Sequence, residues 1–188
     1  MDTRESILSK ALTLFASRGY DAVGVQEIVD TAGVTKPTLY HYFGSKLGLL
    51  RVVLQDHFEK LNRDLTVASE YNGDLPMTLR KIASAYFLFS KQEHAFYRLQ
   101  LSLYFAPRES DAFKEVVKLN EALFRLIEGV FLLASRDHGN MRGRHRLYAA
   151  SFLGMINNCI GLALNGFLAL NDELLERAVH QFEHGIYS

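Results

Sequence analysis

Apolar side chains return along this chain every three or four residues, the period of a helix that buries one stripe. Ile7, Leu8, Ala11, Leu12 and Phe15 start the pattern, and Gly19 after Arg18 supplies a left-handed stop, so a first helix is predicted over roughly 3–18. Val25, Ile28, Val29 and Ala32 give a short second helix closed by Gly33. Thr35 then offers a capping hydroxyl, Pro37 falls in the first turn, where a missing N–H costs nothing, and Val34 can pack on Leu39. A short third helix follows from those signals. Ser45 caps a longer fourth helix striped by Leu47, Leu50, Leu54, Phe58, Leu61 and Leu65, which Asn72-Gly73-Asp74 ends. Beyond Pro76, helices are predicted near 76–90, 93–105, 109–137, 143–170 and 172–185. The fold class is all-α, with about nine helices: a three-helix N-terminal domain over 1–48 and a larger helical domain over 49–188.

Composition changes this picture only at the margins. The 188 residues are 48% hydrophobic, enough for a small domain plus a medium one. Lysine and arginine (21) balance aspartate and glutamate (21), so the basic signature of many nucleic-acid binders is missing and any DNA affinity must come from where charges sit. Cys159 is the only cysteine, which excludes an internal disulfide and a thiolate-rich metal site; it reads as a small core residue. The most apolar stretch, Leu147 to Leu170, is broken by Asn157, Asn158, Asn165 and three glycines, and the chain opens without a secretory pattern. A cytoplasmic protein with no membrane partner is expected.

The second helix, a glycine-containing turn and the short third helix make a helix-turn-helix, whose second helix lies in the DNA major groove. Leu39 and Phe43, four apart, anchor the third helix inward, leaving Lys36, Pro37, Thr38, Tyr40 and His41 on the exposed tip and flank. Lys36 can donate to guanine O6 or N7, the Thr35 and Thr38 hydroxyls suit base or phosphate, and the Pro37 ring can touch a thymine methyl. Tyr40 and Tyr42 suit phosphate oxygens, and Gln26 on the second helix is free to reach DNA. Lys46 adds a cation at the start of helix four and is expected to clamp the backbone there.

Residues 4–50 resemble the DNA-binding domain of the tetracycline-repressor (TetR) family of bacterial regulators. The matching positions are Ile7, Ala11, Phe15, Gly19-Tyr20, Val25, Glu27-Ile28, Ala32-Gly33-Val34, Thr38-Leu39-Tyr40, Tyr42-Phe43, Ser45-Lys46 and Leu49-Leu50. Val23-Gly24 stands where the family often has Thr-Thr, so a capping hydroxyl is absent before helix two. The resemblance implies a homodimer on a palindromic double-stranded operator and an effector cavity enclosed by the helices after the fourth. It also implies a dimer interface built as a four-helix bundle from the last two long helices of each subunit.

The second half carries no motif of its own, but its composition suits such a cavity. Tyr86, Phe89 and Phe124 belong to a long series of rings, more often plain core than pocket, while Tyr97, Gln100 and Tyr104 share a helical face that mixes polar tips with apolar bodies. Few charges accompany these rings, so the expected effector is lipophilic, uncharged or weakly polar. Asn157 is assigned to the cavity. The face of Gly154, Asn158, Gly161 and Asn165 is assigned to the dimer interface, because close helix approach would justify glycines in a helix interior. His180 and His184 read as solvated residues, and no metal or cofactor is expected. G-x-S-x-G, Walker and H-E-x-x-H patterns are absent, so no enzyme is expected. The expected function is ligand-responsive transcriptional regulation, by repression. The alternative is a protein of the same fold without operator binding, acting as a ligand-dependent interaction module.

Overall fold

A computed structural model of the chain describes residues 2–185, the side chain of Asn140 excepted. Among these residues there are nine α-helices, one 3₁₀ turn (Gly139–Met141) and no strand. In order, the helices are α1 (Thr3–Arg18), α2 (Val25–Ala32), α3 (Lys36–Phe43), α4 (Lys46–Ala68), α5 (Leu75–Gln92), α6 (His94–Tyr104), α7 (Asp111–Asp137), α8 (His145–Leu164) and α9 (Asp172–His184). The chain forms two compact units, one of residues 1–59 with 93–119 and the other of 60–92 with 120–188. The compact units do not follow the division expected at residue 48, because α6 packs on α1 and joins the N-terminal unit.

In the first unit, Ile7, Ala11 and Phe15 of α1 are buried, as are Ile28, Val29, Leu39, Leu49 and Leu50, and α1 packs on α2 and α6. The Phe15 ring meets Tyr20 at 5.2 Å, and Arg18 pairs with Glu27, fixing α1 to α2. Farther along α4, His57 stacks on Phe96 of α6 with centroids 4.6 Å apart, donates through Nδ1 to the Val53 carbonyl at 2.8 Å, and faces Glu93 at 3.6 Å. Arg51 of α4 bonds Glu115 of α7 at 2.9 Å.

The second unit packs α5 against α8 and α9. Phe131, Phe152 and Phe182 form an aromatic cluster with centroids 5.1 to 6.1 Å apart. The Tyr71 hydroxyl donates to Asp137 at 2.7 Å, and burial together with that carboxylate pushes its pKa up to about 12. Arg80 ties α5 to α9 through Glu176 at 2.8 Å.

α8 is shorter than expected. The sequence predicts helix to residue 170, but it ends at Leu164, where Gly166 turns the chain with φ 79°. Phe167 and Leu168 continue the apolar composition as exposed, non-helical chain. Hydrophobic period alone did not register that reversal.

Candidate nucleic-acid interface

The short α3 is held at both ends by local chemistry. The Thr35 hydroxyl accepts from the Thr38 N–H at 3.4 Å and lies 2.9 Å from the Thr38 hydroxyl. Pro37 occupies the first turn, and Gly44 closes the helix with φ 71°. Leu39 and Phe43 are buried, and the Arg4 guanidinium lies 6.0 Å over the Phe43 ring. Those two anchors turn the remaining side chains outward: Lys36, Pro37 and His41 are exposed, Tyr40 and Tyr42 are 46% and 42% exposed, and Thr38 is half-buried beside its cap. The His41 and Tyr42 rings meet edge to face at 5.3 Å. The tip thus offers a cation, hydroxyls and ring edges on one surface, with the hydrophobic anchors behind it.

The turn that positions α3 is equally local. Gly33 adopts φ 67° and its N–H donates to Asp30, while Val34 donates back to Val29 at 3.0 Å, a closure that needs a left-handed residue at this point. At the other end the Ser45 hydroxyl accepts from Gly48 N–H at 2.9 Å, as its capping position predicts.

Two expected contacts are placed differently. Gln26 is exposed on α2, but its amide donates to Asp30 at 2.7 Å, one turn along the same helix. Lys46 departs further from the expectation. Its ammonium donates to the carbonyls of Tyr20 at 3.0 Å and Val23 at 2.9 Å and sits 4.2 Å from the Tyr20 ring centroid. Half-buried, it cross-links the start of α4 to the α1–α2 loop. A side-chain pattern does not reveal carbonyl acceptors, and the cation was therefore read as a clamp on the DNA backbone.

Gly48 was missed as well. A Cβ built there would lie far inside van der Waals contact with the Phe43 carbonyl oxygen, so only glycine lets α3 and α4 join this closely. The available signal was a glycine in the first turn of a long helix, where alanine is favoured by about 1 kcal/mol.

The candidate effector residues fall in both units. Tyr97, buried to 1%, and half-buried Gln100 are on α6 in the first unit, but Tyr104 at the end of α6 is 52% exposed against Phe105, so the expected three-residue face is not uniformly enclosed. In the second unit Tyr86 and Phe89 are buried on α5, and burial pushes the Tyr86 hydroxyl pKa upward. Phe124 carries the Arg146 guanidinium 5.7 Å over its ring, and Asn157 is half-buried on α8. Gly154, Asn158 and Asn165 are exposed and Gly161 half-buried, and Leu147, on the same helix, is 66% exposed. The His180 and His184 rings lie 4.4 Å apart, and among the described residues no group of three or more His, Cys, Asp or Glu could hold a metal ion.

Comparison with known proteins matches residues 7–53 to the bacterial regulatory proteins of the tetR family. The HTH-type transcriptional activator FasR of Mycolicibacterium smegmatis is 32% identical over 184 residues, covering 98% of this chain and 82% of that protein. The HTH-type transcriptional repressor BdcR of Escherichia coli is 45% identical over 53 residues, which is 28% of this chain and 27% of that one. Among solved structures, the transcriptional regulator FadR of Bacillus subtilis, in complex with stearoyl-CoA, superposes with a TM-score of 0.79 at 19% identity, covering 97% of this chain and 98% of that one. The fold, the helix-turn-helix and a relative aligned along nearly the whole sequence agree: the chain belongs to the TetR family of helix-turn-helix transcriptional regulators.

Proposed function

We propose that the protein binds a palindromic operator as a homodimer and releases it when a small lipophilic effector binds. The observation that carries this reading is the preformed tip of α3, with Lys36, Pro37, Thr38, Tyr40 and His41 outside and Leu39 and Phe43 inside. Two such tips in successive major grooves would stand about 34 to 36 Å apart. Lys36 reads a guanine edge, Thr38 and Pro37 contact base or methyl, and Tyr40 and Tyr42 hold phosphates. Residues 1–48 serve DNA, and residues 49–188 serve effector and dimer.

The dimer is supported by α8, which is long and apolar enough to cross a membrane but has only 22% of its most apolar window buried. An exposed apolar face of this kind, lined by Leu147, Gly154 and Asn158, suits a second copy of the same helix, and we place the protein in the cytoplasm with the chromosome. For the effector we favour a fatty-acyl compound. The stearoyl-CoA bound by the FadR structure, together with the ring-rich second unit around Tyr86, Phe89 and Phe131, supports that class.

The relative aligned over the whole chain is named an activator, and BdcR, matched over the helix-turn-helix alone, a repressor. Repression, the reading taken from sequence, requires an operator that overlaps the promoter. That is a property of the DNA and not of this chain.

Fluorescence anisotropy with labelled fragments of the DNA flanking the protein's own gene tests the reading. Sequence-selective binding that weakens with salt and is reversed by stearoyl-CoA is expected. No binding at low salt would overturn operator recognition in favour of an interaction module, and binding indifferent to every acyl compound would overturn the effector class.

A further inference from the structure

Where α4 passes the start of α6, the His57 ring is met on three sides by groups that favour a charged imidazole. Its Nδ1 lies 2.8 Å from the Val53 carbonyl oxygen, one turn back along α4, and its Nε2 lies 3.6 Å from Glu93 Oε2. Both neighbours accept and neither donates. A neutral imidazole carries one N–H, which the Val53 carbonyl takes, so an unshared electron pair is turned toward the carboxylate. Only the imidazolium presents an N–H to each. The third side is the Phe96 ring, stacked on the imidazole at 4.6 Å and 11°, whose negative face attracts a cation. The His57 and Glu93 side chains are 23% and 25% exposed, so water and salt screen this pair less than a pair on the open surface. The other charged residues within a turn of His57 on α4 are Asp56, which meets Arg4 of α1 at 3.9 Å, Glu59, which accepts from Gln55 at 3.0 Å, and Lys60. On α6 the charged residues next to Glu93 and Phe96 are His94 and Arg98, both exposed.

Glu93 is the residue on which α6 starts, because its carbonyl accepts the first bond of that helix, from the Tyr97 N–H at 2.9 Å. A pull on its carboxylate is therefore a pull on α6. α6 packs on α1 and α1 on α2, so the contact belongs to the frame from which α3 projects. We propose that His57 is a proton-operated tie between α4 and α6: as pH falls the ring takes up a second proton, closes on Glu93 and steadies the unit that presents α3. The charged ring has a partner at both nitrogens and the neutral ring at one, so the stabilisation is present in mild acid and is lost as pH rises and the ring gives up its charge. Operator affinity then depends on pH in the absence of any effector.

Thermal unfolding of the full-length protein at about pH 8 and about pH 5.5, between which an ordinary imidazole changes charge and an ordinary carboxylate keeps its own, tests the tie. Wild type, His57→Gln, Glu93→Gln and the double variant are compared at equal protein concentration. Acidification is expected to raise the Tm of the wild type by several degrees relative to each variant. The three variants are expected to respond alike, because either loss removes the whole proton-linked contact. The remaining histidines titrate in all four proteins and cancel, and any other contact of Glu93 is lost at both pH values. Glu93→Gln leaves the ring and its stack on Phe96 in place, so it carries the test if His57→Gln fails to fold. In operator anisotropy at the same two pH values, the affinity of wild type relative to Glu93→Gln is expected to rise several-fold on acidification. If the Tm of wild type and of Glu93→Gln respond to pH in parallel, the tie is overturned; if only the affinity ratio stays fixed, its hold on operator binding is overturned. If no fragment is bound at either pH, operator recognition itself falls, and the melting comparison still decides the tie.

Discussion

Replacing Lys46 by methionine keeps most of the apolar stem and removes the ammonium. Two charge-assisted hydrogen bonds, to the Tyr20 and Val23 carbonyls, disappear together with the cation over the Tyr20 ring. A hydrogen bond to a charged group contributes about 1.5 to 3 kcal/mol, and an exposed cation–π contact about 0.5 to 1. The full sum overstates the loss, because loop carbonyls regain water and the new side chain regains rotamer freedom. A net destabilisation of about 2 to 4 kcal/mol is the expected range. At roughly 2 to 4 °C per kcal/mol for a chain of this size, the Tm falls by about 4 to 16 °C, read by circular dichroism at fixed protein concentration because the proposed dimer would contribute to the transition. Well below that Tm, the slope of operator affinity against salt is expected to stay where it was. A variant that melts with the wild type while its salt slope drops by about one would refute the reasoning and return Lys46 to the phosphate-clamp role read from sequence.

Lys36→Ala is expected to relax discrimination at one base pair of each half-site, by about 1 to 3 kcal/mol, in competition anisotropy with single-base operator variants. Gly48→Ala drives a methyl into the Phe43 carbonyl; it should abolish operator binding and lower thermal stability, while Gly129→Ala, where a Cβ meets nothing within 4 Å, should do neither. Gly154→Arg on the exposed face of α8 should convert dimer to monomer in light scattering and cost operator affinity in proportion. Glu115 is held below the usual carboxylate range, first by its hydrogen bond from Arg51, so its contribution is present above pH 4.5 and fades as pH falls through its lower folded value. Glu115→Gln should accordingly show a shallower stability loss than wild type in that acid window, followed by urea unfolding.

Much of the first unit was legible in sequence because its punctuation is local. Gly19, Gly33, Thr35, Pro37 and Ser45 each end or begin a helix through their own backbone geometry, missing N–H or hydroxyl, and those boundaries match the structure to within a residue. The outward set on α3 followed from two buried anchors four residues apart. What stayed hidden depends on partners distant in sequence or without side chains. Lys46 finds carbonyls more than twenty residues earlier, and Arg51 finds Glu115 sixty-four residues later. α8 overran because Phe167 and Leu168 are as apolar as core residues while exposed in this structure, and Tyr104 was grouped with Tyr97 because spacing does not tell where a helix leaves the core.

α3 is only eight residues long, too short to persist in water by itself, and its shape is imposed by the threonine before it, the glycine after it and the two side chains beneath it. On the proposed reading a duplex meets a backbone already shaped and not a segment that must fold on contact, so only the exposed side chains of the tip pay ordering entropy in the encounter. Wrong sites would then be abandoned without a folding step to reverse.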